Sequence, residues 1–275
     1  MIVDAHQHFW NKDRFDYPWL TPETDGLYRN FEPEDLQPLA EVCDVENTIV
    51  VQCMSSVEET KWLLELSEKS NLIGGVVGWV DLQSDILERD LSELQRFEKL
   101  KSVRHQIEDE QDREWLLQKS VLRGLKIVSE HGLKFDALLK HDQLWQLKSV
   151  VDACPELGIV IDHSAKPDIK NREFDVWAKN IADASKLPVN CKLSGLFTEA
   201  EHKTWKTEDI RKYSDFVLKC FGPERVMFGS DWPVSTLASD YRRTIRTTVE
   251  LCSDLSEEDR HLVFFLNARE FYRIS

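Results

Sequence analysis

Met1-Ile-Val-Asp-Ala-His-Gln-His-Phe-Trp10 opens the chain as a short apolar strand ending in His6-x-His8. Side chains of a regular strand alternate faces, which predicts Asp4, His6 and His8 on one face and Val3, Ala5 and Gln7 on the other. Two imidazoles at that spacing can grip one metal ion or one substrate oxygen, or can be half-exposed strand histidines. The far end of the chain adds weight to the first alternative. Val226-Met-Phe-Gly-Ser-Asp231-Trp-Pro233 is another apolar strand, and it terminates in an aspartate at a strand-to-loop junction.

Between these ends, strand and helix patterns alternate. Strands are predicted over Thr48–Cys53, Ile73–Val80, Ser102–Ile107, Leu133–Leu138, Ile159–His163 and Val189–Ser194. Helices are predicted over Glu34–Cys43, Val57–Ser70, His141–Cys154, Phe174–Ala184 and Glu208–Cys220. Ser84 is placed as the N-cap of a further helix, and Gly132 closes the one that ends at His131. Two helices make up the tail, the second capped by Ser256 ahead of an acidic first turn. Short, β-branched, uniformly apolar strands are buried on both faces and therefore parallel. Eight such units with helices between them predict one α/β domain over residues 1–275, a (β/α)8 TIM barrel. An open doubly wound sheet is the structural alternative, and no G-x-G-x-x-G follows the first strand to support it. The segment Phe9–Phe31 has neither period but carries Trp10, Phe15, Tyr17, Trp19 and Tyr28; it is either a lid over the barrel mouth or a surface loop pinned by its aromatics.

The 35 Lys and Arg residues face 50 Asp and Glu, a net charge of −15. That field repels nucleic acid and anionic membranes while leaving room for a small anion held by local cations. The six cysteines are scattered without a C-x-x-C pair, as free thiols of a reducing, cytoplasmic compartment are. No signal-like or membrane-length apolar run occurs. The expected partner is a small molecule, and a homo-oligomer is a permitted assembly.

Barrel enzymes keep their chemistry at the C-terminal ends of the strands. Here those ends carry His6 and His8, Trp79 and Asp81, His105, His163, Lys192 and Asp231. Each has a plainer alternative: His163 as a hydrogen-bonded core histidine, Asp231 as a loop cap, Arg104 as a structural ion-pair partner. Lys192 is harder to set aside, because a lysine inside an apolar strand needs an anion beside it, from protein or substrate.

Taken together, His6-x-His8, Val-Ile-Asp-His163-Ser-Ala-Lys-Pro, Cys-Lys192-Leu-Ser-Gly and Phe-Gly-Ser-Asp231-Trp-Pro resemble the amidohydrolase superfamily. Val103-Arg-His105 and Gly132-Leu-Lys-Phe-Asp136 resemble, more narrowly, its sugar-lactonase branch. The resemblance runs from Met1 to the last helix. It implies a (β/α)8 barrel, hydrolytic chemistry, and His6, His8, His163 and Asp231 in the site. The two-metal members use a lysine or glutamate on strand four and a histidine on strand five. This chain offers His105 and Asp136 there, so at most one divalent ion, Zn2+ on His6, His8 and Asp231, is expected, and metal-independent action is equally open.

The reaction expected is opening of a sugar-derived lactone to the aldonic acid, with Asp231 as general base and then acid on water. His163, His105 and Lys192 complete the expected catalytic set. Trp10, Trp79, Arg104 and Trp232 are the expected substrate contacts. One rival is a metal-dependent decarboxylase, with Arg104 or Lys166 clamping the acid. The other is a non-catalytic sugar-acid binding barrel, which has no need of a general base at Asp231.

Overall fold

The structure, a computed structural model, describes residues 1–24 and 26–274. Asp25, within the aromatic segment, and Ser275 lie outside the described residues. Strands β1 (Ile2–Gln7), β2 (Val45–Val51), β3 (Ile73–Gly78), β4 (Leu100–Gln106), β5 (Lys134–Leu138), β6 (Ile159–Ile161), β7 (Asn190–Leu193) and β8 (Val226–Phe228) form one sheet in sequence order. Every neighbouring pair from β1–β2 to β7–β8 is parallel. Helices α1 (Pro33–Val42), α2 (Val57–Ser67), α3 (Leu87–Leu94), α4 (Lys119–Glu130), α5 (Leu147–Ala153), α6 (Asp175–Ala184) and α7 (Thr207–Phe221) fill the crossovers. After β8 come α8 (Tyr241–Leu251), α9 (Glu257–His261) and α10 (Asn267–Tyr272). This is the (β/α)8 barrel that the alternation predicts.

The barrel closes just beyond the end of β8. There Gln7 and Trp232 form a parallel bridge, the Asp231 amide donates to the His6 carbonyl (2.8 Å), and the His8 amide donates to the Trp232 carbonyl (2.7 Å). Inside, Val3, Ala5, Ile49, Val51, Val77, Val160 and Met227 pack with Phe265, Ala268 and Tyr272 from the tail. The Lys101 ammonium donates to the Arg273 carbonyl (3.3 Å), at the N-terminal end of β4, so the tail seals the mouth opposite the site.

Three local expectations are corrected. Asp4 does not share a face with His6. It pairs with Thr48 whereas Gln7 pairs with Val50, so β1 takes one residue more than β2 over that interval. Such a bulge breaks the two-residue period. Asp4 therefore faces α8, where its Oδ2 accepts from the Tyr241 hydroxyl (3.1 Å), while Ala5 and His6 both face the interior. Ser84 is not the N-cap of α3, whose cap position is Ile86; its Oγ accepts the Ile86 amide (3.2 Å) in the turn before the helix. The strand expected to reach His163 stops at Ile161, because the next residues turn left-handed.

The aromatic segment is anchored at its base. Trp10 and Phe31 pair through reciprocal backbone hydrogen bonds of 3.0 and 2.9 Å, with their rings 4.9 Å apart. Trp19 packs edge-on against Trp10 and donates its indole N–H to the Cys53 carbonyl (3.1 Å). The segment thus folds over the end of β1 that carries His8 and lines the cavity there.

Candidate active site

Three segments bring the candidate groups together. The bulge in β1 turns His6 inward, and His8 follows at the strand's end. The seam after β8 places Asp231, which adopts φ +58. After β6, His163, Ser164, Ala165 and Lys166 have φ values of 53, 51, 56 and 51, four successive non-glycine residues in the left-handed region. Each costs on the order of 1–2 kcal/mol, so neighbouring contacts must hold them. Ser164 Oγ donates to the Lys192 carbonyl (3.1 Å), and the Trp177 indole donates to the Ser164 carbonyl (2.8 Å). Gly195, at φ +68, makes room for the turn, since a Cβ there would stand 2.6 Å from His163 Nδ1.

At the cavity floor, His6 Nε2 lies 3.2 Å from His8 Nε2. Asp231 Oδ1 lies 3.4 Å from His8 Nε2 and 3.9 Å from both His6 Nε2 and His163 Nε2. The His8 Nδ1–H faces the Val51 carbonyl at 2.8 Å, which leaves the Nε2 lone pair directed at the centre. His163 Nδ1 is 2.9 Å from Ser194 Oγ. Burial lowers the pKa of His163 to about 4, against the pull of Asp231, and lowers that of His6 far below the ordinary imidazole value. Both rings are therefore neutral near pH 7. For Asp231, burial pushes upward, but His163, His8 and Lys166 outweigh it and the carboxyl sits below its ordinary range.

These donors fit one divalent ion. Two ligands on a tetrahedral zinc, each about 2.0–2.1 Å away, stand about 3.3 Å apart. The His6–His8 separation of 3.2 Å matches that spacing, and single ligand atoms of His6, His163 and Asp231 lie within 4.8 Å of one another. Beside His6, however, the interior holds the Arg104 guanidinium and the Lys192 ammonium. Cations in that position oppose a second metal ion.

Lys192 does not face the cavity. It is fully buried beneath His6, with Asp136 Oδ2 at 2.5 Å, Asp162 Oδ1 at 3.0 Å and His6 Nδ1 at 3.1 Å. The anion it needs comes from the protein. Lys192, His6 and Arg104 overcome the effect of burial and hold Asp162 well below the usual carboxylate range, whereas burial keeps Asp136 raised. Arg104 does reach the cavity wall, with Nη1 3.4 Å from both Asp162 Oδ2 and His6 Nε2, and Nη2 on the Gln52 carbonyl (2.5 Å).

His105 is corrected outright, because β4 turns Ser102 and Arg104 inward and His105 outward. Its ring stacks on Trp115 (centroids 4.0 Å apart), accepts the Trp79 indole N–H at Nδ1 (3.1 Å) and meets Glu110 at Nε2 (2.6 Å). Trp79 leaves the site with it. Asp81, also at a strand end, is exposed and accepts the Gln83 amide (2.9 Å). Trp10 lines the cavity, while Trp232 packs beneath the loop against Phe9 and Phe31, at 6.1 and 5.3 Å.

The cavity above the centre measures about 390 Å³, within the usual small-molecule range. Glu108, Lys166 and Glu199 also line it. Glu108 lies in the acidic run that reads as a helix approach, and Glu199 in a loop without period. Each follows closely on a strand end, the one signal in the sequence that could have marked them.

The neutral His6 and His163 rings beside one ionised carboxylate, at the C-terminal mouth of a (β/α)8 barrel, define a hydrolase centre able to activate water beside a polarised carbonyl. The amidohydrolase family profile matches residues 3–274, and the chain belongs to that family. It is 36% identical to an L-fucono-1,5-lactonase of Burkholderia ambifaria, covering 99% of this chain and 95% of that protein. An amidohydrolase of Burkholderia multivorans solved with bound zinc superposes with a TM-score of 0.94 at 33% identity, covering 100% of both chains. A 2,6-dihydroxybenzoate decarboxylase, at 13% identity and a TM-score of 0.69 over 99% of each chain, shares the fold alone.

Proposed function

We propose that this protein hydrolyses a neutral sugar-derived lactone of the L-fuconolactone or L-rhamnonolactone kind to the open aldonic acid. The observation that carries the reading is Asp231, an ionised carboxylate beside the neutral His6 and His163 rings on the floor of a sugar-sized cavity. Asp231 takes a proton from the water that attacks the lactone carbonyl, then returns it to the ring oxygen as the C–O bond breaks. His8, its Nδ1–H held by the Val51 carbonyl, points its Nε2 lone pair at the same centre, 3.4 Å from Asp231 Oδ1. His6 and His163 face the position where charge develops on the carbonyl oxygen. An ion on His6, His8, His163 and Asp231 supplies Lewis-acid polarisation of that oxygen when bound. Arg104 and Trp10 contact the substrate from the walls. Lys192 acts from below through Asp162, whose Oδ1 stands 3.0 Å from the ammonium and 3.4 Å from His6 Nδ1.

The decarboxylase alternative needs a free cation to clamp an acid. Both candidates are already engaged, Arg104 by Asp162 and Lys166 by Glu108. Non-catalytic binding leaves the strained turn at His163 and the buried Asp231 without a purpose. Among the described residues no helix is long and apolar enough to cross a membrane. The cysteines are free, which supports a cytoplasmic setting.

The test is a pH-indicator assay across aldonolactones of six-carbon deoxy-sugars, with metal content measured on the same sample. Acid release from L-fucono-1,5-lactone or L-rhamnonolactone is the expected result. No acid release from any lactone, together with CO2 release from a hydroxybenzoate, overturns the reading.

A further inference from the structure

One wall of the cavity is built from charges that the proposed chemistry does not use. Lys166 ends the left-handed turn that presents His163, its amide donating to the His163 carbonyl (2.9 Å). Its ammonium reaches across to Glu108 Oε1 at 2.6 Å; the two side chains are 26% and 11% exposed, so the pair is largely sheltered and still open to the cavity. Glu199 stands on the loop after β7, fixed by its amide on the Gly195 carbonyl (3.3 Å) and by its own carbonyl accepting the Lys170 amide (2.9 Å). Burial raises its carboxyl above the ordinary range, with Lys166 pulling the other way.

Apart from Asp231 and Arg104 at the centre, Glu108, Asp109 and Glu199 set three carboxylates around the cavity against one cation, Lys166, a surplus that an ion held by Asp231 and the imidazoles leaves in place. Carboxylates accept hydrogen bonds from paired hydroxyls with two oxygens each, and an ammonium donates to the hydroxyl between them. A negative surplus in a sheltered cavity also disfavours any further anion.

We infer that Glu108, Lys166 and Glu199 form the polyol-reading wall of the site, which binds the hydroxyls of a neutral lactone and repels the carboxylate created by its opening. This rests on the lactonase reading and deepens it, by assigning substrate specificity and product expulsion to the same three side chains. Water adds across the acyl C–O bond, the ring oxygen keeps a proton as a new hydroxyl, and the acid ionises. The molecule that entered neutral becomes an anion among carboxylates. Release is thereby favoured without any movement of the barrel.

The test is calorimetric titration of the full chain with L-fucono-1,5-lactam, a neutral mimic that resists hydrolysis, and with L-fuconate. The wild type should bind the lactam at least about tenfold more tightly, the scale of one charge-assisted hydrogen bond. Glu199→Gln and Glu108→Gln should each weaken the lactam several-fold and strengthen fuconate, closing the gap. Glu201→Gln removes the same charge from an exposed pair with Lys170 and should leave the ratio unchanged. Should Glu108→Gln fail to fold for want of a partner to Lys166, Glu199→Gln decides the matter, as its carboxylate forms no such close pair among the described residues. Lactam binding with an unaltered ratio in the variants overturns this assignment alone. A wild type that neither binds lactam nor opens lactones overturns the lactonase reading with it.

Discussion

The amide of Asp231 donates to the carbonyl of His6 at 2.8 Å, so the hydrogen bond that closes the barrel also joins the proposed general base to the first imidazole. Gly229 permits this contact, since a Cβ there would lie 2.7 Å from the Cβ of His6. The seam and the reaction centre are one piece of structure, and changes to either should register in both.

Asp231→Asn removes the proposed base while keeping the shape. Turnover should fall by about 10²–10⁴-fold, the usual contribution of a positioned acid–base group, with lactam affinity little changed. In the wild type, kcat/KM should stay flat as pH falls to about 5 and drop only below the ordinary carboxylate range, because the base acts ionised and its pKa is depressed. A steady-state pH profile with a midpoint near 6.5 would assign the base to a histidine instead.

Metal-free protein should take up at most one equivalent of Zn2+ with a rise in Tm. His6→Ala and Asp231→Asn should each abolish that rise, which thermal scans with metal analysis will measure. Two ions per chain at full occupancy would contradict the cationic surroundings of His6.

Gly195→Ala should damage the site more than the fold. The new Cβ meets the His163 ring at 2.6 Å, and the residue must keep φ +68. The expected cost is about 1–3 kcal/mol in denaturant unfolding, with a loss of kcat well beyond what that destabilisation explains. Full activity in a folded variant would show that His163 tolerates displacement.

Glu59 provides a pH test away from the centre. It is buried at the start of α2, where Oε2 accepts the amides of Cys53 (2.9 Å) and Met54 (3.1 Å), and burial raises its pKa from 4.5 to about 7. The folded state therefore holds this proton more tightly than the unfolded state. Stability should be lost as pH rises from about 4.5 to 7 and then level off, by about 3 kcal/mol for a shift of this size. Denaturant unfolding at pH 5 and pH 8 should show Glu59→Gln with a smaller difference than the wild type. Equal differences would mean that Glu59 is not protonated on folding.

Much of this protein is legible along the chain. Strand–helix alternation specifies the parallel barrel, because strands buried on both faces must be apolar throughout and each crossover needs a helix. Polar residues at the strand ends then mark the mouth that holds the chemistry, and His6, His8, His163 and Asp231 do converge there. Which way a side chain points was settled by the tertiary structure alone. The bulge at His6 and the left-handed turn at His163 arise where backbone meets distant backbone, and each breaks the local period that sequence arguments rely on. The same holds for β4, where strict alternation gives no means of knowing that Arg104 rather than His105 faces the interior. It holds most of all for Lys192. Its two carboxylate partners, Asp136 on β5 and Asp162 in the turn after β6, come from other parts of the barrel, and only its closure brings them close enough to bury an ammonium beneath His6.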